Sequence, residues 1–146
     1  MTVRGGRATM PWMGTSVLIV DDHEGFRAWA RVLLEQAGYT VLGEAADGVS
    51  AVRAARRLRP QVVLLDVQLP DTDGFEVARQ LSAERWSPGV VLISTRDAGD
   101  YAGRLGRSRV LGFLPKEDLT VEALGRLVSA GDDGDPGPER AGLEGK

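Results

Sequence analysis

The chain has 146 residues, 42% of them hydrophobic and 27% charged, the size and make-up of one globular domain rather than of a fibrous or membrane-embedded protein. A formal charge of −3 argues against direct nucleic-acid binding, which calls for a clustered basic face. The absence of cysteine removes thiolate chemistry, cysteine-type zinc sites and any disulfide framework.

Residues 1–15 contain Arg4 and Arg7 but lack the apolar run of a secretory signal, so they are expected to form a flexible leader to a cytoplasmic protein. SVLIV at 16–20 predicts the first strand. Glu24 to Ala37 predicts a helix with Phe26, Trp29, Ala30, Leu33 and Ala37 inward, stopped by Gly38. YTVLGE at 39–44 follows as a strand, then a helix from Gly48 to Arg59, where Pro60 ends it. Its arginines Arg53, Arg56, Arg57 and Arg59 read as a solvated face. QVVLLD at 61–66 is the third strand, and Phe75, Ala78 and Leu81 mark a helix entered after Asp73-Gly74.

GVVLIS at 89–94 is the fourth strand. A fourth helix is expected over 97–108, although Gly99, Gly103 and Gly106 each weaken it by about 1 kcal/mol relative to Ala. RVLGFL at 109–114 is the fifth strand. Leu119 to Ala130 predicts the last helix, with Ala123, Leu124, Leu127 and Val128 inward and Gly131 as its end. The Gly-, Pro- and acid-rich segment 131–146 offers too little apolar surface to offset ordering entropy and is expected to be a disordered tail. The folded domain is therefore expected over 16–130.

The strands are apolar at consecutive positions, the pattern of parallel strands covered by helices on both faces. The expected fold is α/β: a doubly wound, five-stranded parallel sheet of order 2-1-3-4-5, flavodoxin-like. The apolar runs Val17 to Val20 and Val62 to Leu65 fall far short of a membrane span.

In this topology ligands sit at the carboxyl ends of the strands, at the switch point between the first and third. There the sequence places Asp21 and Asp22 after the first strand, Asp66 at the end of the third, Ser94 on the fourth and Lys116 after the fifth. Three converging carboxylates repel one another unless a cation is present, and an all-oxygen set suits Mg²⁺. Taken singly, Asp21 or Asp22 could equally cap the first helix. His23, the single histidine, reads as a solvent-exposed residue at the helix start with no catalytic role. Asp73-Gly74 and Leu69-Pro70 read as turn chemistry.

VLIVDDH, LLDVQLPDTDG, VLIST and GFLPK, in that order and at strand ends, resemble the receiver domain of two-component response regulators over roughly 16–130, the CheY-like form of this fold. VDDH followed by Phe26-Arg27 resembles the branch often joined to helix-turn-helix output domains; no such domain follows here, which suggests a single-domain regulator or phosphate relay.

The resemblance implies that Asp66 accepts a phosphoryl group from the phosphohistidine of a histidine kinase or phosphotransfer protein. It assigns Mg²⁺ to Asp21, Asp22, Asp66 and the Gln68 backbone carbonyl. Lys116 and Ser94 would contact the phosphoryl oxygens, and Phe113 would turn inward as the switch aromatic. The surface of fourth helix, fifth strand and fifth helix would then signal to an unidentified protein target, with a homodimer through the same face as an option. It implies no enzyme beyond self-phosphorylation and self-dephosphorylation at Asp66.

Two positions depart from the family pattern. Pro115 precedes Lys116 and Glu117 follows it, where receivers usually carry proline after the lysine, and Thr95 replaces a small residue. Two other readings stay open: a pseudo-receiver that binds protein without phosphorylation, and a phosphatase of the haloacid dehalogenase type. The second lacks its general acid, since Gln68 stands two residues after Asp66.

Overall fold

The computed structural model describes residues 10–95 and 110–133. In chain order the elements are β1 (Ser16–Val20), α1 (Glu24–Gln36), β2 (Thr40–Ala45), α2 (Gly48–Leu58), β3 (Val62–Asp66), α3 (Gly74–Ser82), β4 (Gly89–Ser94), β5 (Val110–Pro115) and α4 (Val121–Asp133). The helix expected over 97–108 and the tail after 133 lie outside the described residues.

All five strands are parallel and stand in the order β2-β1-β3-β4-β5. Alternate residues of a strand point to opposite faces, so each apolar run serves two cores. Leu18, Val20, Val63, Leu65, Val90 and Leu92 face α2 and α3, where they meet Ala51, Ala55, Phe75, Ala78 and Leu81. Val17, Ile19, Val62, Leu64, Val91 and Ile93 face the other way, onto Ala30 and Leu34 of α1 and Leu124 and Val128 of α4. β5 is an edge strand, which is where Pro115 is tolerated because it has no N–H to donate.

Capping follows the local sequence. Asp47 accepts the Ser50 N–H at 2.8 Å at the start of α2, and Asp73 accepts the Glu76 N–H at 2.9 Å at the start of α3. Gly38, at φ 105°, provides the left-handed stop after α1. Arg59 also enters the left-handed region, at φ 49°, closing α2 immediately before Pro60. Arg53, Arg56, Arg57 and Arg59 are exposed, as a solvated face requires.

Three expectations need correction. Trp29 is not inward: it is 48% exposed, and Leu34 takes the buried position beside Ala30. Gly131 does not stop the last helix, which runs on to Asp133; it begins at Val121 after Thr120, whose Oγ1 accepts the Ala123 N–H at 3.0 Å, with a 3-10 turn over Lys116–Asp118 before it. The leader is not loose along its whole length. Trp12 stacks on Tyr39 with ring centroids 6.1 Å apart, its Nε1 donates to the Ala37 carbonyl at 2.8 Å, and its ring lies against Gly125 of α4. Gly14 and Thr40 continue the tie through backbone bonds to Gly38 and Thr15.

Trp12 therefore clamps α4 to the end of α1. Trp12→Ala is expected to destabilise the fold by about 2 kcal/mol, read as a lower urea midpoint at unchanged slope. An unchanged midpoint would mean that the strap contributes nothing.

Candidate functional site

The carboxyl edge of the sheet brings Asp21, Asp22, Asp66, Ser94 and Lys116 to one cleft. β1 hands the chain to α1 through Asp21, Asp22 and His23. His23 is the residue that precedes α1, and it makes no side-chain cap, so neither acid serves as the helix cap. Instead Asp21 turns inward. Its side chain is fully buried, its Oδ1 accepts the His23 N–H at 2.8 Å, and Arg27 Nη1 donates to its carbonyl at 2.7 Å. Asp22 stays exposed at the mouth.

Asp66 ends β3, 4% exposed, and its Oδ1 accepts the Gln68 N–H at 3.1 Å. Lys116 reaches over both buried acids. Its Nζ lies 2.6 Å from Asp21 Oδ2 and 3.5 Å from Asp66 Oδ2, while the ring of Phe26 faces the same ammonium at 4.7 Å. Ser94, 1% exposed, ends β4, one residue beyond Ile93, the cross-strand partner of Asp66. Phe113 is half-buried on β5 opposite Leu92 and packs against the core on the α2–α3 side.

The electrostatics follow from burial. Desolvation pushes the Asp66 carboxyl up to about 6; the Gln68 N–H opposes that push, the Asp21 carboxylate reinforces it, and the Lys116 ammonium opposes it. A carboxylate held in this way keeps its charge at neutral pH only at a cost, which any further cation in the cleft would relieve.

Such a cation has ligands waiting. Donor atoms of Asp21, Asp22, His23 and Asp66 all lie within 4.8 Å of one another. Asp21 Oδ2 is fully buried and accepts no hydrogen bond; the Lys116 contact is an ion pair without hydrogen-bond alignment. Predominantly oxygen donors, two of them buried carboxylates, fit a hard divalent ion such as Mg²⁺. Gln68 is positioned by its N–H bond to Asp66 and by a bridge to Asp73 across the loop.

The loop after β3 is locked from beneath. Gly74 N–H donates to the Val67 carbonyl at 2.6 Å, and a Cβ on Gly74 would stand 2.5 Å from the Asp66 carbonyl oxygen and 3.0 Å from Val67 Cα. These are backbone atoms with nowhere to go. Gly74→Ala is expected to destabilise by about 1–3 kcal/mol, measured by urea titration, because the end of β3 must move. A neutral result would show that the loop has slack.

Sequence reasoning missed three contributors. Asp71 accepts the N–H groups of Gly48 and Val49 at 2.7 and 3.0 Å, tying the loop after β3 to the start of α2. Phe26 lies beneath the Lys116 ammonium, although its helical spacing reads simply as core. His23 touches both acids of β1, with Nδ1 3.1 Å from Asp21 Oδ1 and 3.1 Å from Asp22 Oδ1. Only its adjacency to the acid pair could have signalled this.

The sequence model of the response regulator receiver domain matches residues 17–125. The chain is 32% identical over 122 residues to the transcriptional regulatory protein PdtaR of Mycobacterium tuberculosis, covering 77% of this chain and 60% of that protein. It is 40% identical over 117 residues to a protein-glutamate methylesterase/protein-glutamine glutaminase of Anaeromyxobacter dehalogenans, covering 77% of this chain and 33% of that one. It spans about half the length of several transcriptional regulators it matches. Among solved structures, a two-component response regulator of the LuxR family from Aurantimonas superposes with a TM-score of 0.72 at 25% identity, over 80% of this chain and 86% of that one. A CheY-like receiver domain from Methylobacillus flagellatus shares the fold at a TM-score of 0.71 and 22% identity, over 80% of this chain and 98% of that one.

Proposed function

The chain belongs to the response regulator receiver domain family, a signalling module of two-component systems, and on that premise we propose that Asp66 takes a phosphoryl group from the phosphohistidine of a histidine kinase or phosphotransfer protein. The observation that supports this most is the Lys116 ammonium between two buried carboxylates from β1 and β3, 2.6 and 3.5 Å away, with the Ser94 hydroxyl at the end of the next strand.

An Asp66 oxygen attacks phosphorus, the nitrogen–phosphorus bond breaks, and its electron pair returns to the donor imidazole, which then takes a proton. Mg²⁺ held by Asp21, Asp22, Asp66 and the Gln68 carbonyl would neutralise charge on the phosphoryl oxygens. Lys116 and Ser94 contact those oxygens. Asp21 then keeps Lys116 poised at the cleft, and the Gln68 N–H fixes the orientation of the Asp66 carboxyl.

The acyl phosphate adds close to two negative charges where one carboxylate stood, which draws the ammonium and hydroxyl inward. Phe113, half-buried on the edge strand, would follow Ser94 and change the surface formed by β5 and α4. That surface is the proposed contact for a downstream protein or for a second copy of the chain. Among the described residues no helix is long and apolar enough to cross a membrane.

Incubation with Mg²⁺ and a small acyl phosphate or phosphoramidate donor tests the reading. Intact mass should show one added phosphoryl group that depends on the metal. No modification by either donor or by any histidine kinase would favour a protein-binding module instead.

A further inference from the structure

We infer that Arg27 is a positioning residue for the acid pair of β1: its guanidinium, anchored on Glu44, fixes the peptide between Asp21 and Asp22 and so the direction in which both carboxylates face. The inference rests on the proposed metal-dependent site and names a residue of α1 on which that site depends.

Arg27 Nη1 donates to the Asp21 carbonyl at 2.7 Å, and its Nε donates to Glu44 Oε1 at 3.0 Å. Only 17% of the Arg27 side chain is exposed. Glu44 is the β2 residue paired with Ile19 of β1, and its other oxygen accepts from Arg31 Nε at 2.7 Å. The Arg31 hydrogen bond, opposed by burial and aided by Arg27, holds the Glu44 carboxyl below its ordinary range, so the anchor is an anion at neutral pH.

The carbonyl that Arg27 holds belongs to the planar peptide that also carries the Asp22 N–H. On the other side of Asp21, its own N–H donates to the Ala45 carbonyl at 3.0 Å. Both peptides that flank Asp21 are therefore tied, one to β2 and one to α1, and the two acid side chains leave a fixed backbone. The planar fork of an arginine serves two acceptors at once, which the single ammonium of a lysine does not reproduce.

Charge alone would act in the opposite sense. A cation beside the acid pair repels a divalent ion, so by Coulomb's law its removal would tighten Mg²⁺ binding. Positioning makes the reverse prediction.

The test is calorimetric Mg²⁺ titration of the full chain as wild type, Arg27→Met and Arg31→Met, beside phosphoryl uptake from a small acyl phosphate followed against Mg²⁺ concentration. Each variant removes one cation from Glu44, and only the first removes the bond to Asp21. Arg27→Met should weaken Mg²⁺ about tenfold and raise the Mg²⁺ concentration for half-maximal uptake by the same factor, with the rate at saturating Mg²⁺ within about twofold of wild type. Arg31→Met should stay within about twofold in each quantity. In the metal-free protein the backbone amide resonance of Asp22 should shift in Arg27→Met and hold its place in Arg31→Met. Arg27→Lys, which keeps the charge without the fork, guards against a folding defect and should also weaken Mg²⁺.

Unchanged or tighter Mg²⁺ binding by Arg27→Met would overturn the proposal, as would wild-type affinity in Arg27→Lys or an unmoved Asp22 amide. An equal loss in Arg31→Met would overturn it too, because the effect would then belong to the charge around Glu44 and not to the Asp21 carbonyl. If wild type binds Mg²⁺ but takes no phosphate, the phosphoryl reading fails and the affinities still decide the role of Arg27. If it binds no Mg²⁺, both fail.

Discussion

Asp66→Asn is expected to abolish phosphoryl uptake and, in metal-free buffer at neutral pH, to stabilise the fold by about 1–2 kcal/mol. Loss of uptake follows from loss of the nucleophile. The gain in stability follows from burial: the Asp66 carboxyl rises from 3.8 to about 6 in the folded cleft. Undiminished, that displacement corresponds to about 3 kcal/mol, and solvent at the mouth of the cleft screens it to about half.

The pH dependence gives the effect its signature. Because the folded state holds the proton more tightly than the unfolded state, the contribution of Asp66 worsens as pH rises from about 4 to about 6. Near pH 4 the buried acid is neutral and the amide resembles it, so wild type and Asp66→Asn should unfold at similar urea concentrations. Above pH 6 the variant should lead by its full margin. Mg²⁺ should narrow that margin, since on the proposed reading it binds the folded wild type and recovers stability by mass action. A margin independent of pH would mean that the Asp66 carboxylate is not strained by its surroundings.

Lys116→Met should act in the opposite direction. Asp21 is fully buried, and the ammonium 2.6 Å away is its closest cation among the described residues. Breaking a buried ion pair from one side typically costs about 3–5 kcal/mol, because a charge is left without compensation. Protonation of Asp66 offers partial relief, so about 2–4 kcal/mol is expected at neutral pH, including the lost contact of the ammonium with the Phe26 ring. Millimolar Mg²⁺ should restore most of it by supplying charge to the same carboxylates. Phosphoryl uptake should stay low even then, since the proposed role of Lys116 is toward the phosphoryl oxygens. Urea titrations with and without Mg²⁺, beside a mass measurement of uptake, separate the two roles.

Much of this was legible in the sequence because both cores draw on the same strands. Apolar residues at consecutive positions, as in VVLLD, fit a strand covered on both sides, and two of the five expected strand ranges agree to the residue. The acids at the ends of β1 and β3 were then placed by topology alone. What sequence could not supply was contact between distant segments. Trp12 is an isolated aromatic in a glycine-rich stretch, and its partners Tyr39 and Gly125 belong to other elements. Along α1, apolar residues cover more than one face, so helical spacing put Trp29 inward and passed over Leu34. Packing against β1 and β3 chose Leu34. The pairing of Lys116 with Asp21, closer than with Asp66, is likewise tertiary.

The central claim is that the carboxylate of Asp66 is the group that carries phosphate. Peptide mapping after borohydride reduction of the phosphorylated full chain tests it most directly, since only an acyl phosphate is reduced to the alcohol. The account predicts that the reduced residue is Asp66, at no more than one per chain, and that Asp66→Asn shows none. Reduction at Asp21, Asp22 or any other carboxylate, or undiminished phosphate on Asp66→Asn, would contradict it.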